Sequence, residues 1–345
     1  MTSKTNTISR ICQCLLALSV SSCGGIQNAV NPAGPQADSL SRLWWLMFTV
    51  CSVVFVLVLI AVLLALRNRT SEPPANTPPL LELPPEQQRR RRNAIISAVT
   101  VTAVILFVFL IVSYSAGRSL TADLAHKNGL TIDVTGHQWW WEVRYNDADA
   151  SNIFTTANEI HIPVGVPVLF NLHGADVIHS FWVPNLGGKR DLIPGKNNSA
   201  WYQADKPGVF RGQCAEYCGL QHAQMALWIV AEPQDQFNAW RQSQSQTSMT
   251  PTTDSQKRGQ QVFLSAPCVM CHAINGTPAG SNVGPNLTHI ASRNTIAAAT
   301  LSNTREHLAQ WIKDSQSVKP GNKMPQNNLG EADLQALLDY LQSLK

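Results

Sequence analysis

The 345-residue chain sets 26 basic against 22 acidic side chains, so its net charge is only +4, and charged residues make up 14% of it. The longest run of positive charge is the four residues Arg89–Arg92, which is no footprint of a nucleic-acid binder built on a broad basic face. The length suggests two or three domains, and two apolar runs beyond the first forty residues place the chain in a membrane.

Residues 1–22 read as an export signal: Lys4 and Arg10, then the apolar Ile11–Val20, then small residues. Val20-Ser-Ser-Cys23 before Gly24-Gly25 has the form of a lipoprotein cleavage box, with Cys23 as the lipidated first residue; the bland reading is an ordinary cleaved signal. Leu43–Leu66 is continuously apolar and would be about 36 Å long as a helix, enough to cross a hydrocarbon core. Ala94–Ala116 is a second such run. Arg67, Arg69 and Arg89–Arg92 lie between them, so the positive-inside rule makes 67–93 a cytoplasmic loop and turns both outer ends outward. Three Pro-Pro pairs make the middle of that loop an extended linker. The expected unit is a two-helix transmembrane hairpin over 42–116, with Trp44 and Trp45 at its outer interface.

From 117 to 240 the pattern changes to short alternating segments: Leu130–Val134, Trp139–Tyr145, Glu159–Ile162, Val166–Leu172, Ile178–Val183, Ser199–Gln203, Gly208–Gln213 and Met225–Ala231. Short strands separated by Gly/Pro turns predict a β-sandwich. Within it, Cys214-Ala-Glu-Tyr-Cys-Gly-Leu-Gln-His-Ala-Gln-Met225 gathers two thiols, an imidazole and a thioether, and His179 lies upstream in an apolar strand. Alone, Cys-x-x-x-Cys is a disulfide, a redox pair or half a zinc site. The added His222, Met225 and His179 exceed what one tetrahedral zinc uses and favour copper. Two metals bridged by two thiolates would use them all.

This stretch resembles the binuclear copper A loop of cytochrome c oxidase subunit II. The resemblance, covering about 40–240, implies a cupredoxin-like sandwich with His179, Cys214, Cys218, His222 and Met225 as copper ligands and Glu216 giving its backbone carbonyl. It also implies a magnesium or manganese site shared with subunit I through the Glu216 side chain. Gly136-His-Gln-Trp-Trp-Trp-Glu-Val-Arg-Tyr145 resembles a further motif of that family, in which electrons come in at the tryptophan after Gly-His-Gln, here Trp139. Strand alternation puts Trp139 and Trp141 on one face and Trp140 on the other. Val143 departs from the family's aromatic richness, which puts an altered docking patch in prospect. The family's proton-path glutamate is not assigned; Glu86 is the nearest acidic residue to the second span.

Residues 241–254 are polar and linker-like, and 255–345 form a last, helical domain. Cys268-Val-Met-Cys-His272 is the c-type haem attachment pattern. The domain resembles class I cytochrome c, which implies His272 as the axial ligand, Pro285 as the carbonyl that orients it and Met324 as the sixth ligand. His289 and His307 read as surface histidines. Leu334, Leu337, Leu338 and Leu341 mark a helix expected to pack on the Gly259/Phe263 face of the first. With Cys12 and Cys14 in the signal and Cys51 in a span, no cysteine pair is left for a structural disulfide.

Together these readings predict a multidomain chain: a transmembrane hairpin, a cupredoxin-like sandwich and an all-α cytochrome c domain on the outer face of a bacterial plasma membrane. The resemblance implies an oxidase subunit that passes electrons from haem c to copper A and on to subunit I. Subunit III and an upstream cytochrome or respiratory complex complete the expected partners. Three rivals fit less well. A quinol oxidase subunit lacks the copper ligands. A membrane-anchored copper chaperone or thiol reductase needs neither Met225 nor a haem domain. Nitrous oxide reductase needs a propeller for which there is no room.

Overall fold

The computed structural model describes residues 25–67, 84–122 and 129–345, with side chains at 119–122 excepted. The signal, Cys23, Arg69 and the proline-rich middle of the expected loop lie outside the described residues. Two compact units emerge: residues 39–125, and a larger one made of the remaining N-terminal residues with 126–345.

The smaller unit is helical. Helix α1 spans Pro35–Arg67 and α2 spans Pro85–Ala122. Each contains a window of mean hydropathy near that of a membrane span, 3.1 and 3.0, with none of it buried in the protein. Both helices outrun their apolar cores. The arginine tetrad, expected in the loop, belongs to α2: Pro85 suits a first helical position, Glu86 lies in the first turn, and no breaker separates it from Ala94.

The larger unit holds the sandwich. One sheet orders its strands β3-β2-β1-β5-β8, from Phe154–Ala157, Trp140–Tyr145, Leu130–His137, Val168–Gly174 and Asn198–Tyr202. The other orders β4-β10-β9-β6-β7, from Glu159–Pro163, Ala226–Glu232, Gly208–Cys214, His179–Trp182 and Arg190–Leu192. β1 pairs parallel to β5, and β4 parallel to β10. The eight segments read from the sequence all contribute strands. The two missed, β3 and β7, are edge strands of four and three residues, too short for alternation to show. Trp141, Tyr145, Phe170 and Phe181 are fully buried between the sheets, where each large apolar side chain contributes about 1.5–3 kcal/mol.

Two sequence expectations change here. Trp139 stands in the turn before β2 rather than in the strand, although it is buried, as is Trp141. Val143 is fully buried in the core, so it cannot alter a surface patch; strand alternation turns Glu142 and Arg144 outward instead.

Residues before and at the start of α1 pack on this sandwich. Ala33 N–H donates to the Asn185 carbonyl at 2.8 Å, and Asp205 N–H donates to the Ala33 carbonyl at 2.8 Å. The Gln36 side-chain amide donates to the Trp201 carbonyl, and Arg211 to the Gln27 side chain.

After β10, helix α3 (Gln234–Gln244) lays Phe237 and Trp240 on the sandwich, with Trp240 stacked on His161 at 4.1 Å. The helix therefore occupies the start of the expected linker. The remainder of that stretch is attached as well: Ser248 N–H donates to the Asn275 carbonyl, and the His289 ring contacts the Gln246 and Lys345 carbonyls. His289, expected at the surface, is consequently buried.

A capping box of Thr253 and Gln256 starts α4 (Asp254–Ser265). Helices α5 (Arg305–Lys313), the short α6 (Ser315–Val318) and α7 (Glu331–Ser343) complete the last domain. Leu334, Leu337, Leu338 and Leu341 are buried, and α7 crosses α4 where Gly259 lies against the Ala336 carbonyl. Between the two-residue strands β11 (Thr295–Ile296) and β12 (Leu301–Ser302) runs an unusual turn. Ala297, Ala298 and Ala299 have φ of 55, 57 and 59°. That left-handed conformation costs an L-residue about 1–2 kcal/mol, so outside contacts must hold it.

Candidate metal and haem centres

Three neighbouring strands bring the copper-type residues to one pole of the sandwich. β6 begins with His179, β9 ends with Cys214, and Met225 immediately precedes β10. Pairing fixes their register: Phe181 faces Cys214, and Cys214 N–H donates to the Met225 carbonyl. Cys218 lies in the loop, and His222 opens a 3-10 turn, His222–Gln224.

The donor atoms converge. Cys214 Sγ lies 3.8 Å from Cys218 Sγ, 3.9 Å from His179 Nδ1 and 3.1 Å from the Glu216 carbonyl. Cys218 Sγ lies 3.6 Å from His222 Nδ1 and 3.8 Å from Met225 Sδ. Ligand atoms of His179, Cys214 and Cys218 all fall within 4.8 Å of one another, and all three residues are buried. The donor chemistry, two thiols, two imidazoles, a thioether and a carbonyl around one point, fits a pair of soft metal ions.

Charge is arranged to suit. The hydrogen bond with Cys218 holds the Cys214 thiol well below its ordinary range despite burial, with help from His179. Cys218 is driven the other way by that bond, then by burial. His179 is fully buried; the Cys214 and Asp176 interactions outweigh that burial and raise its pKa. Its Nε2–H donates to Asp176 at 2.8 Å, which leaves Nδ1 facing the thiols. Gly136 admits the ring: a Cβ there would stand 2.9 Å from His179 Cδ2.

The Gly-His-Gln-Trp motif clamps the loop. Trp139 Nε1–H and the Gln138 amide both donate to the Cys218 carbonyl, at 3.0 and 2.8 Å, while Gln138 N–H donates to Asp176. Asp176 and Gln138 were not singled out from the sequence. A carboxylate three residues before a metal-type histidine was the available signal.

In the last domain, Cys268 stands on a 3-10 turn, Pro267–Met270, with Cys271 and His272 directly after it. Cys268 and Cys271 are partly buried, and burial raises the Cys268 thiol. His272 Nδ1–H donates to the Pro285 carbonyl at 2.8 Å, leaving Nε2 available, and burial keeps the ring neutral by lowering its pKa. Gly284 allows this approach, since a Cβ would lie 2.8 Å from His272 Cε1. The Met324 backbone is fixed by Asn322, by the Ser315 hydroxyl and by the Gln316 amide. Two observations suit a bound haem. Met270 inside the motif and Val283 further along the chain are 67% and 62% exposed although apolar. The half-buried Arg293 has a buried Nε–H without a partner among the described residues, a donor suited to a carboxylate-bearing ligand.

Sandwich, membrane-length helices and cytochrome-type domain define the class: a membrane-anchored electron-transfer protein with a copper-type and a haem-type centre. The family model for cytochrome c oxidase subunit II, periplasmic domain, matches residues 130–232, and that for cytochrome c matches 256–345. Cytochrome c oxidase subunit 2 of Alkalihalophilus pseudofirmus is 38% identical over 338 residues, 96% of this chain and 95% of the relative. The Bacillus sp. (strain PS3) protein of the same name is 36% identical over 230 residues, 64% and 63% of the two chains. The crystal structure of the periplasmic domain of subunit II of cytochrome oxidase (CoxB) of Bradyrhizobium japonicum shares 36% identity. It covers 33% of this chain and 92% of that one, with a TM-score of 0.32. The chain belongs to the cytochrome c oxidase subunit II family, with a cytochrome c domain at its C-terminal end.

Proposed function

We propose that this chain is the electron-accepting subunit of a haem–copper oxidase that reduces oxygen to water. Copper A would be held by His179, Cys214, Cys218, His222, Met225 and the Glu216 carbonyl. Haem c would be attached through Cys268 and Cys271 and ligated by His272 and Met324. When bound, the copper pair and the haem supply one-electron carriers. The chain's own residues tune them by ligand type, burial and hydrogen bonding. Asp176 holds the His179 ring in one tautomer and orientation, and the Pro285 carbonyl does the same for His272. Burial of Cys214, Cys218 and Met225 keeps water from the copper site. Trp139, hydrogen-bonded to the Cys218 carbonyl, is the residue through which electrons would come in.

Subunit I would hold the oxygen-reducing site, with subunit III and an upstream cytochrome or respiratory complex as further partners. The exposed Glu216 side chain is available for a magnesium or manganese ion shared with subunit I. Both domains would stand on the outer face of a bacterial plasma membrane. The observation that carries this reading is the convergence of four further copper-type donors on the Cys214–Cys218 pair. Purification of the complex from membranes tests it. Optical spectra should show haem c beside the haem of a partner, and electron paramagnetic resonance should show mixed-valence copper. One zinc per chain and no covalent haem would overturn it.

A further inference from the structure

Lys319 is the side chain that neither centre accounts for. It is 3% exposed, yet it is a lysine in a loop just before the Met324 segment. Its Nζ donates to the Trp139 carbonyl at 3.0 Å, the Gln224 carbonyl at 2.9 Å and the Ala297 carbonyl at 3.2 Å. An ammonium has three N–H bonds, and all three are used. Two of the acceptors belong to the sandwich, beside the copper-type loop, and one to the cytochrome domain.

The surroundings agree. The Gln221 amide donates to the Pro320 carbonyl at 2.6 Å, one residue beyond Lys319. The left-handed alanine turn faces the same way: Ala297 gives its carbonyl to Lys319, and Ala298 accepts from Ala226 N–H at 3.2 Å. The strained turn is thus held by contacts across the domain boundary. Burial draws the Lys319 ammonium down to about 7, against the opposing pull of Cys218.

We propose that the cytochrome domain is constitutively docked on the Cys214–Met225 loop through Lys319. In this arrangement Lys319 is a positioning residue that sets the Met324 segment against the loop for electron transfer. The docking stands on its own geometry; its consequence for electron passage rests on the function proposed above. In that passage one electron leaves the reduced haem-bearing domain, which is oxidised, and reduces the copper-bearing loop. The linker becomes a connection rather than a tether on which the domain swings.

Lys319→Met in the metal-loaded complex keeps the stem and removes the donors. Amide hydrogen exchange over 220–228 should rise by about tenfold or more as the Ala226 bond opens. Flash-induced haem-to-copper transfer should slow, while the copper and haem spectra stay unchanged. Lys319→Arg should recover part of the transfer rate. Unchanged exchange, or an opened interface with transfer at the wild-type rate, would overturn the proposal. A second measurement avoids the variant: a protease site inserted between Met249 and Thr252 of the otherwise native chain is cut in the complex. The severed cytochrome domain should remain bound through gel filtration; its release would overturn the docking. Absence of both spectra from the wild-type complex would count instead against the centres proposed above.

Discussion

The two centres are built in opposite ways. Copper-type residues come from the ends of three paired strands, and a network already holds them without metal: Asp176 on His179, Gln138 and Trp139 on Cys218. Haem-type residues come from one pentapeptide, Cys268–His272, and a distant loop fixed by Ser315 and Gln316. The first centre is a property of the sheet, and the second is a local motif that a covalent cofactor completes. The lesson is that damage at one should stay there unless it touches the boundary between the domains.

The sharpest test of that separation is Cys218→Ser, which should abolish the mixed-valence copper signal and leave haem c absorption intact. Loss of both chromophores would break the comparison. Next in size is Asp176→Asn. Removing the carboxylate that orients His179 should lower copper affinity by about 10–100-fold, read by competition with a chelator, again with haem c unchanged. Met324→Ala makes the converse cut. Haem should stay covalently attached while its reduction potential falls by on the order of 0.1 V, within the roughly 0.8 V range that axial ligands command. An unchanged potential would assign the sixth position elsewhere.

The smallest effect concerns His161, away from both centres. Burial disfavours its charge, but contacts with Glu159 and Glu232 outweigh burial and raise its pKa above 6.5. A raised histidine stabilises the fold fully below its unfolded pKa, and that contribution is lost as pH rises through the folded value. The melting-temperature advantage of wild type over His161→Gln should therefore be fully present below about pH 6 and shrink as pH rises through the raised folded value. A gap independent of pH would mean that the ring is neutral throughout.

Legibility in the sequence followed the same divide. Strand alternation located eight of the sandwich segments, and leucine spacing located α7, because burial imposes a period that side chains must obey. The copper- and haem-type residues were readable because their chemistry demands rare types at short spacing. What escaped was tertiary. A lysine between Val318 and Pro320 reads as solvated, and nothing local announces that three carbonyls await it. Nothing local in three successive alanines announces a left-handed turn, since alanine prefers a right-handed helix. The polar stretch after Trp240 read as free chain because Gln and Ser also suit a helix whose apolar face is only Phe237 and Trp240.

The short segment that leads into α1 carries a consequence for insertion. Its contacts with Asn185, Trp201 and Asp205 bind residues on one side of the hairpin to residues on the other. Two stretches so joined must share a compartment, which imposes a parity rule: the chain between them crosses any bilayer an even number of times. A nascent chain that left one apolar helix unthreaded would strand this segment away from the sandwich and leave the Asn185 and Asp205 backbone groups without their partners. The folded sandwich thus acts as a checksum on how its own anchor was inserted.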